Sequence, residues 1–381
     1  MTPKVSFVVP CYELAHFLAE CVKSILAQTY TDFEILIMDD CSPDNTTEVA
    51  MSFQDPRIRC MRNAKNLGHL RNYNRGIELA TGEYVWLISA DDVVWDTHAL
   101  ARYVDLLDQH PSAGFAFCAA LELREGRTKV ATYSSWQGSD GLLYGKNVFE
   151  RLVYANTIVA CSGMVRKAIY IRHGSFPLDM PYSGDWYLWC LFAMFGDVVF
   201  VADPLVAYRI HGASMTDTLS STRVRQCADD DLAVLSALYR RAEAAGLKPF
   251  SEVSMRALGY EYARQLRSKT YRSVSFQRSP TEVAKLIRAF SQHKAESRQL
   301  MAYTQASLGD LHLEKMLCLQ ALKSYVRALY LKPFRLSVWG KLILVGLGRP
   351  GQRVRSQLSR WRSGQRDQPM NALPINTVVG G

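Results

Sequence analysis

The chain has 381 residues, of which 48% are hydrophobic and 21% are charged, and this composition is typical of a soluble globular protein with one large domain and an appended region. Its nine cysteines are scattered singly without CxxC pairs, which argues against a disulfide scaffold or a zinc site and favours a reducing cytoplasm. The amino terminus lacks the order of a secretion signal, and no apolar run reaches the roughly 18 to 20 residues that span a bilayer.

Strand and helix patterns alternate from the amino terminus to residue 118. We predict strands at 5–9, 34–38, 58–61, 83–88 and 114–118, and helices at 17–28, 44–53, 69–80 and 99–109. Because such alternation builds a sheet covered by helices, the pattern predicts an α/β fold with a doubly wound, mostly parallel sheet.

The rest of the chain separates into a continuation of this core and a helical region. Residues 121–209 are less regular and predict helices at 148–154 and 186–195, with strands at 159–165 and 198–202. After Met215 the apolar spacing is helical and shows no strand, which predicts helices at 224–244, 252–268, 280–292, 301–311, 315–331 and 336–345. We therefore predict a core at 1–215, a helical C-terminal region at 216–348 and a basic, disordered tail at 349–381.

The net charge of +9 is concentrated in that tail. Asp367 is nearly its only acid, whereas its arginines are Arg349, Arg353, Arg355, Arg360, Arg362 and Arg366. Such a cluster suits an anionic membrane or a nucleic acid, and a solvated tail is the alternative. Because apolar residues at 338–344 precede the cluster, we expect peripheral contact with an anionic membrane and no nucleic acid.

Three predicted strands end in acidic or aromatic residues. Asp91 and Asp92 follow the strand at 83–88, a second pair with Asp40 follows the strand at 34–38, and Tyr12 and Glu13 follow the first strand. Because parallel strands present their carboxyl ends at one sheet edge, we expect these groups to form a site for a cation and a phosphate. The alternative is that the acids cap the following helices and that the tyrosine packs as core.

The ordered series of motifs resembles the family two glycosyltransferases over roughly the first 215 residues. The opening of the family is similar to residues 5–13, 17–18, 24–30 and 33–42 of this chain. Its middle is similar to Asn66-Leu67-Gly68, Arg71-Asn72, Gly82-Glu83-Tyr84 and Ser89-Ala90-Asp91-Asp92, in the same order. An ordered series of this kind is far more specific than one motif.

This resemblance implies a GT-A fold, a nucleotide-sugar donor, a divalent cation such as Mn²⁺ or Mg²⁺, and inversion at the anomeric carbon. Pro10, Tyr12 and Asp40 match positions that hold the nucleobase, whereas Glu13 stands where the family usually has Asn. The ribose and metal acid matches Asp91, and the metal ligand matches Asp92. A further candidate is Arg71, which begins a helix and would reach phosphate or form a surface ion pair.

Two further residues follow from the resemblance downstream. The segment from Tyr182 to Trp189 resembles the family's acidic dipeptide followed by Trp, with Gly184 replacing the first acid, so Asp185 matches the catalytic base. The alternative is that Asp185 caps the helix at 186–195. His211 lies in a segment that resembles the closing loop of the family, where it would complete the metal shell or contact the diphosphate, and a structural role is the alternative.

We therefore expect a cytoplasmic, metal-dependent inverting glycosyltransferase of the hexosyltransferase class. It would move a sugar, with a UDP-sugar as the favoured donor, to a glycan or lipid-linked acceptor in surface polysaccharide synthesis, at the inner face of the membrane and as a homo-oligomer. A nicotinamide-dependent oxidoreductase is disfavoured because no glycine fingerprint follows the first strand. The alternative that stays open is a catalytically weak nucleotide-sugar-binding or scaffold protein, because Ser89 and Gly184 replace family acids.

Overall fold

The computed structural model describes residues 2–131, 136, 138–212, 214–271, 274–291, 293–315, 317–333 and 336–346. The predicted basic tail at 349–381 lies outside these described residues. Within them, no helix is both long and apolar enough to cross a lipid bilayer.

Ten strands of the described residues form one sheet. The strands are β1 (Val5–Cys11), β2 (Phe33–Asp39), β3 (Ile58–Arg62), β4 (Tyr84–Leu87), β5 (Val93–Val94), β6 (Ala113–Arg124), β7 (Arg127–Val130), β8 (Gly141–Leu143), β9 (Met164–Arg166) and β10 (Asp197–Arg209). Their order is β3-β2-β1-β4-β9-β6-β10-β5, with β7 paired to β6 and β8 paired to β10.

The sheet is mostly parallel. β1 pairs in parallel with β2 and β4, β2 pairs in parallel with β3, and β6 pairs in parallel with β10. The short strand β9 is antiparallel to both β4 and β6 and joins the two parallel groups. Every residue of β1 and β2 is buried, because helices cover both faces, and this explains their nearly continuous apolar sequence.

Two hydrophobic cores lie on opposite faces of the sheet. Phe7 and Val9 of β1 belong to one core, and Val8 between them belongs to the other, because successive strand residues point to opposite faces. The described helices are α1 (Ala15–Leu26), α2 (Thr46–Met51), α3 (His69–Leu79), α4 (Ala99–Gln109), α5 (Gly145–Leu152), α6 (Lys167–His173), α7 (Gly184–Phe195), α8 (Met215–Thr222), α9 (Val224–Ala244), α10 (Lys248–Arg267), α11 (Pro280–Phe290), α12 (Lys294–Glu314), α13 (Cys318–Leu331) and α14 (Leu336–Gly346). The predicted doubly wound α/β fold with C-terminal helices is confirmed.

Some predicted elements are wrong in kind or extent. The segment predicted as a strand at 159–165 contains a 3₁₀ turn at Ala160–Ser162, and only Met164–Arg166 forms a strand. The helical region also contains a hairpin of β11 (Lys269–Tyr271) and β12 (Val274–Phe276), where no strand was expected, since two three-residue strands leave too little periodicity to detect.

The helical region continues the core that lies against the sheet. One core cluster includes Val8 of β1, Trp189 of α7, Leu235 of α9 and Leu258 of α10. α13 and α14 pack farther out, on a smaller cluster with α12. The boundaries at residues 215 and 348 stay a prediction, since the helices and the sheet share apolar contacts.

Candidate functional site

The carboxyl ends of β1, β2 and β4 meet at one edge of the sheet. Cys11 of β1 is in register with Asp39 of β2, and the amide of Asp40 donates to the Cys11 carbonyl at 2.9 Å. On the other side, the Ala90 amide donates to the Pro10 carbonyl at 3.1 Å. Parallel pairing therefore places Tyr12, Asp40 and Asp91 at the same edge, as the sequence analysis expected.

Asp40 organises the loop that precedes α3. Its Oδ1 accepts hydrogen bonds from Asn63 Nδ2 at 2.7 Å and from the Leu67 amide at 2.8 Å, while Oδ2 accepts from the Gly68 amide at 3.0 Å. Gly68 has a φ of +82°, a conformation that favours glycine. The sequence analysis did not predict that Asp40 would hold this loop by hydrogen bonds. The role of Asp40 in binding the nucleobase stays a prediction.

Pro10, Tyr12 and Glu13, at the end of β1, lie in different surroundings. Pro10 is buried within the strand, whereas the Tyr12 side chain is 41% exposed, which contradicts the alternative that the tyrosine packs as core. Glu13 has a φ of +56° and its amide donates to Ser42 Oγ at 3.2 Å.

Arg71 is exposed in the first turn of α3, and the described residues contain no ion pair of this arginine.

Asp91 and Asp92 do not cap a helix, because α4 begins at Ala99. Asp92 Oδ1 instead accepts from the Arg209 amide at 2.9 Å, and Arg209 Nε donates to the Asp91 carbonyl at 2.7 Å. His211 Nε2 lies 3.0 Å from Asp91 Oδ2. The end of β10 therefore brings His211 to the acidic pair, and the guanidinium of Arg209 turns outward to an ion pair with Glu20 at 2.6 Å.

The acidic pair has properties that fit a divalent cation. Burial, followed by the neighbouring charge of Asp91, raises the pKa of Asp92 well above its usual range. Asp91 Oδ1 is buried and has no hydrogen-bond partner among the described residues. Carboxylate oxygens and an imidazole are suitable ligands for Mn²⁺. In the described part of the chain, no group of three His, Cys, Asp or Glu side chains is arranged to hold a metal ion.

Asp185 lies in the first turn of α7, one residue after the helix begins at Gly184. Its Oδ2 accepts from Asn156 Nδ2 at 2.9 Å and its Oδ1 accepts from the Trp186 amide at 2.8 Å. Burial raises the pKa of Asp185, and these two hydrogen bonds oppose that rise. The capping alternative therefore holds in part, because the carboxylate satisfies a helix amide while its other oxygen faces Asn156.

Tyr73 of α3 is influenced by the charges of both acidic groups. Burial, followed by the charges of Asp91, Asp92 and Asp185, raises the pKa of its hydroxyl, which places that hydroxyl within electrostatic reach of all three acids. The ring packs edge-on against Phe176 with centroids 5.3 Å apart. The sequence analysis missed Tyr73, since nothing in the helical pattern distinguishes it from a core tyrosine. One hydroxyl is therefore within electrostatic reach of acids from both the end of β4 and the start of α7.

The helical C-terminal region supports the segment before Asp185. Asp230 Oδ2 accepts from the Tyr182 amide at 2.7 Å, and Asp231 Oδ1 accepts from Ser183 Oγ at 3.0 Å. Both acids belong to α9, and Lys269 forms ion pairs with Asp231 and, at 3.0 Å, with Glu261. These contacts join residues 48 positions apart, so no local motif could reveal them.

The fold of the chain is that of the GT-A glycosyltransferases. Among solved structures, residues 1–349 of Staphylococcus aureus TarS in complex with UDP are similar with a TM-score of 0.59 and 16% identity, covering 86% of this chain and 91% of that chain. At this identity the likeness shows the fold alone.

Residues 6–170 match the family model described as Glycosyl transferase family 2. An uncharacterized glycosyltransferase of Nostoc sp. is 30% identical over 220 residues, which cover 55% of this chain and 66% of the relative. The glycosyltransferase GlyG of Streptococcus pneumoniae is 41% identical over 146 residues, covering 38% of this chain and 44% of the relative. The chain thus spans about two thirds of the first relative and less than half of the second.

Proposed function

We propose that the protein is a metal-dependent inverting glycosyltransferase of the hexosyltransferase class. It takes a sugar from a nucleotide-diphosphate donor and passes it to a hydroxyl of a glycan or of a lipid-linked acceptor. The observation that carries this proposal is that the Asp91–Asp92 pair and Asp185 all lie within electrostatic reach of the Tyr73 hydroxyl. The match of residues 6–170 to the family model agrees with this assignment.

The donor side of the site is formed by the ends of β1, β2 and β4. The exposed ring of Tyr12 is available to stack on a nucleobase, and Asp91, Asp92 and His211 would hold a divalent cation. When bound, the cation would neutralise charge on the diphosphate leaving group. Arg71, which is exposed at the start of α3, would meet phosphate. A UDP-sugar is the favoured donor, because TarS shares this fold and has been solved with UDP-GlcNAc.

Asp185 acts on the acceptor side. Its carboxylate accepts the proton of the acceptor hydroxyl while the acceptor oxygen bonds to the anomeric carbon and the bond from that carbon to the diphosphate breaks. Because attack and departure occur on opposite faces, the product is inverted. The raised pKa of Asp185 makes the carboxylate a stronger base than an exposed aspartate. We place the reaction in the cytoplasm and in surface polysaccharide synthesis, by a homo-oligomer.

Turnover of labelled UDP-sugars with Mn²⁺ tests the proposal. We expect Asp185→Asn to lower turnover by about 10²–10⁴-fold, the usual contribution of a general base, while the variant still binds the donor. Asp179→Asn is the matched control, because Asp179 is exposed in the same connection to α7, and this variant should match the wild type. Donor binding with equally negligible release by the wild type and Asp185→Asn would instead support the nucleotide-sugar-binding or scaffold alternative.

A separate experiment tests the proposed cation site at Asp91 and Asp92. We expect Asp92→Asn to abolish the dependence of donor binding on Mn²⁺, since this carboxylate lies beside the unpartnered oxygen of Asp91. Donor affinity that is the same with and without Mn²⁺ in the wild type would contradict the metal assignment. Calorimetry with UDP, with and without Mn²⁺, measures binding by the wild type and by Asp92→Asn without requiring the acceptor.

A further inference from the structure

Helix α13 has two faces in different surroundings. Ala321, Tyr325 and Ala328 are buried against a cluster that includes Ala306 of α12. The opposite face carries Leu319, Val326 and Tyr330, all exposed, and the Tyr330 side chain is 82% exposed. Their spacing of seven and four residues places them on one side of the helix. This apolar side therefore has no covering element among the described residues.

Helix α14 repeats the arrangement. Val338 is buried in the same cluster, whereas Leu336, Trp339 and Ile343 are exposed at spacings of three and four residues. The indole Nε1 of Trp339 donates to the Pro333 carbonyl at 2.8 Å, which fixes the ring near the start of the helix. Two consecutive helices thus each expose an apolar side. We call these six residues the α13–α14 surface: Leu319, Val326, Tyr330, Leu336, Trp339 and Ile343.

The charges on these helices have one sign. Lys323, Arg327 and Lys332 are exposed, and the sequence has no Asp or Glu from residue 315 to residue 366. A symmetric dimer through this surface would bring cations against the same cations of the second copy, which disfavours that occupant. An anionic bilayer instead offers phosphates to the cations and an apolar layer beneath them.

We infer that the α13–α14 surface docks on an anionic lipid bilayer. Stable attachment to a membrane generally requires two signals, and here the exposed apolar side chains and the neighbouring cations supply both. The 11 residues of α14 rise only about 16 Å. This length suits a helix that lies in the plane of the membrane interface with its apolar side towards the acyl chains. The assignment does not depend on the catalytic proposal.

Co-sedimentation of the full chain with vesicles tests the inference. The wild type should sediment with vesicles that contain phosphatidylglycerol and stay in solution with phosphatidylcholine alone. Lys323→Glu combined with Arg327→Glu should reduce binding to the anionic vesicles by at least about tenfold. Lys285→Glu combined with Arg288→Glu is the matched control, since it makes the same charge change on the exposed side of α11 and should bind like the wild type.

The apolar contribution has its own pair of variants. Val326→Ser combined with Tyr330→Ser should weaken vesicle binding at unchanged net charge, whereas Ile171→Ser, which alters an exposed side chain of α6, should not. Equal loss in both charge-reversal variants, or unchanged binding by the α13 serine variant, would overturn the assignment. A concentration-dependent dimer that the serine variant abolishes, without vesicle binding by the wild type, would identify a second copy as the occupant and would also overturn it.

Discussion

The contact between α9 and the segment before α7 gives a sharp prediction about the candidate base. Ser183 and Asp231 are both buried, and their hydrogen bond of 3.0 Å holds the residue two positions before Asp185. Ser183→Ala removes the bond but leaves Asp231 paired with Lys269. The variant should therefore fold while the start of α7 becomes less constrained.

The expected magnitude follows from the charge on Asp231. A hydrogen bond to a charged group contributes about 1.5–3 kcal/mol, and each 1.36 kcal/mol added to an activation barrier is a factor of ten in rate. If the released segment must be ordered again in each turnover, kcat falls about 10- to 100-fold. The proposed donor contacts come from β1, β2 and β4, so the KM for the donor should stay within about twofold.

Steady-state kinetics with a varied donor concentration separates kcat from KM. Ser254→Ala is the matched control, because Ser254 is also buried and its hydroxyl donates to the Phe250 carbonyl at 2.9 Å inside α10. Unfolding in urea reports whether the two variants lose similar stability. The reasoning is refuted if Ser183→Ala keeps the kcat of Ser254→Ala, or if only the donor KM rises.

Three further predictions concern protonation and packing. Asn156→Ala removes a hydrogen bond that lowers the pKa of Asp185, so this pKa should rise further and the acid limb of the kcat–pH profile should move to higher pH. An acid limb that does not move would argue against Asp185 as the base. Burial raises the pKa of Asp230 to about 6 from 3.8, so between those pH values the unfolded chain holds fewer protons than the folded one, and the folded state loses stability as the pH rises. Between pH 4 and 7 the free energy of unfolding of Asp230→Asn in urea should therefore rise by up to about 3 kcal/mol relative to that of the wild type. A difference that stays constant with pH would refute this. Gly82→Ala would place Cβ 2.7 Å from a backbone nitrogen of β1 and should destabilise by about 1–3 kcal/mol in the same assay, whereas Gly340→Ala, with open space around it, should not.

The sheet could be predicted from sequence because its strands are buried on both faces. β1 and β2 are nearly continuous apolar runs, and each ends in polar residues where the chain leaves the sheet. Parallel pairing then requires the ends to meet at one edge. The same logic does not reach β9, because three residues between a 3₁₀ turn and a helix carry too little pattern.

The interactions that complete the site depend on side chains far apart in the sequence. A carboxylate that caps a helix and one that accepts a proton have the same local signature, and Asp185 shows features of both. The position of Tyr73 among three acids follows from the packing of α3 against the connection to α7, not from its own neighbours in the chain. Local patterns therefore predict which strands supply the site and leave its closing contacts undetermined.

The pairing of β10 with β5 explains why the acidic pair is buried rather than solvated. Ala207 is in register with Val93, which directly follows Asp92, so the end of β10 covers the acids and brings in the Arg209 amide and His211. Burying two adjacent carboxylates is unfavourable unless they are paired and hydrogen-bonded. Here one oxygen of Asp91 has no partner among the described residues, and the charge of Arg209 is shared with Glu20. A cation bound as proposed would therefore improve the electrostatics of this site, and it would link donor binding to the stability of the β5–β10 edge.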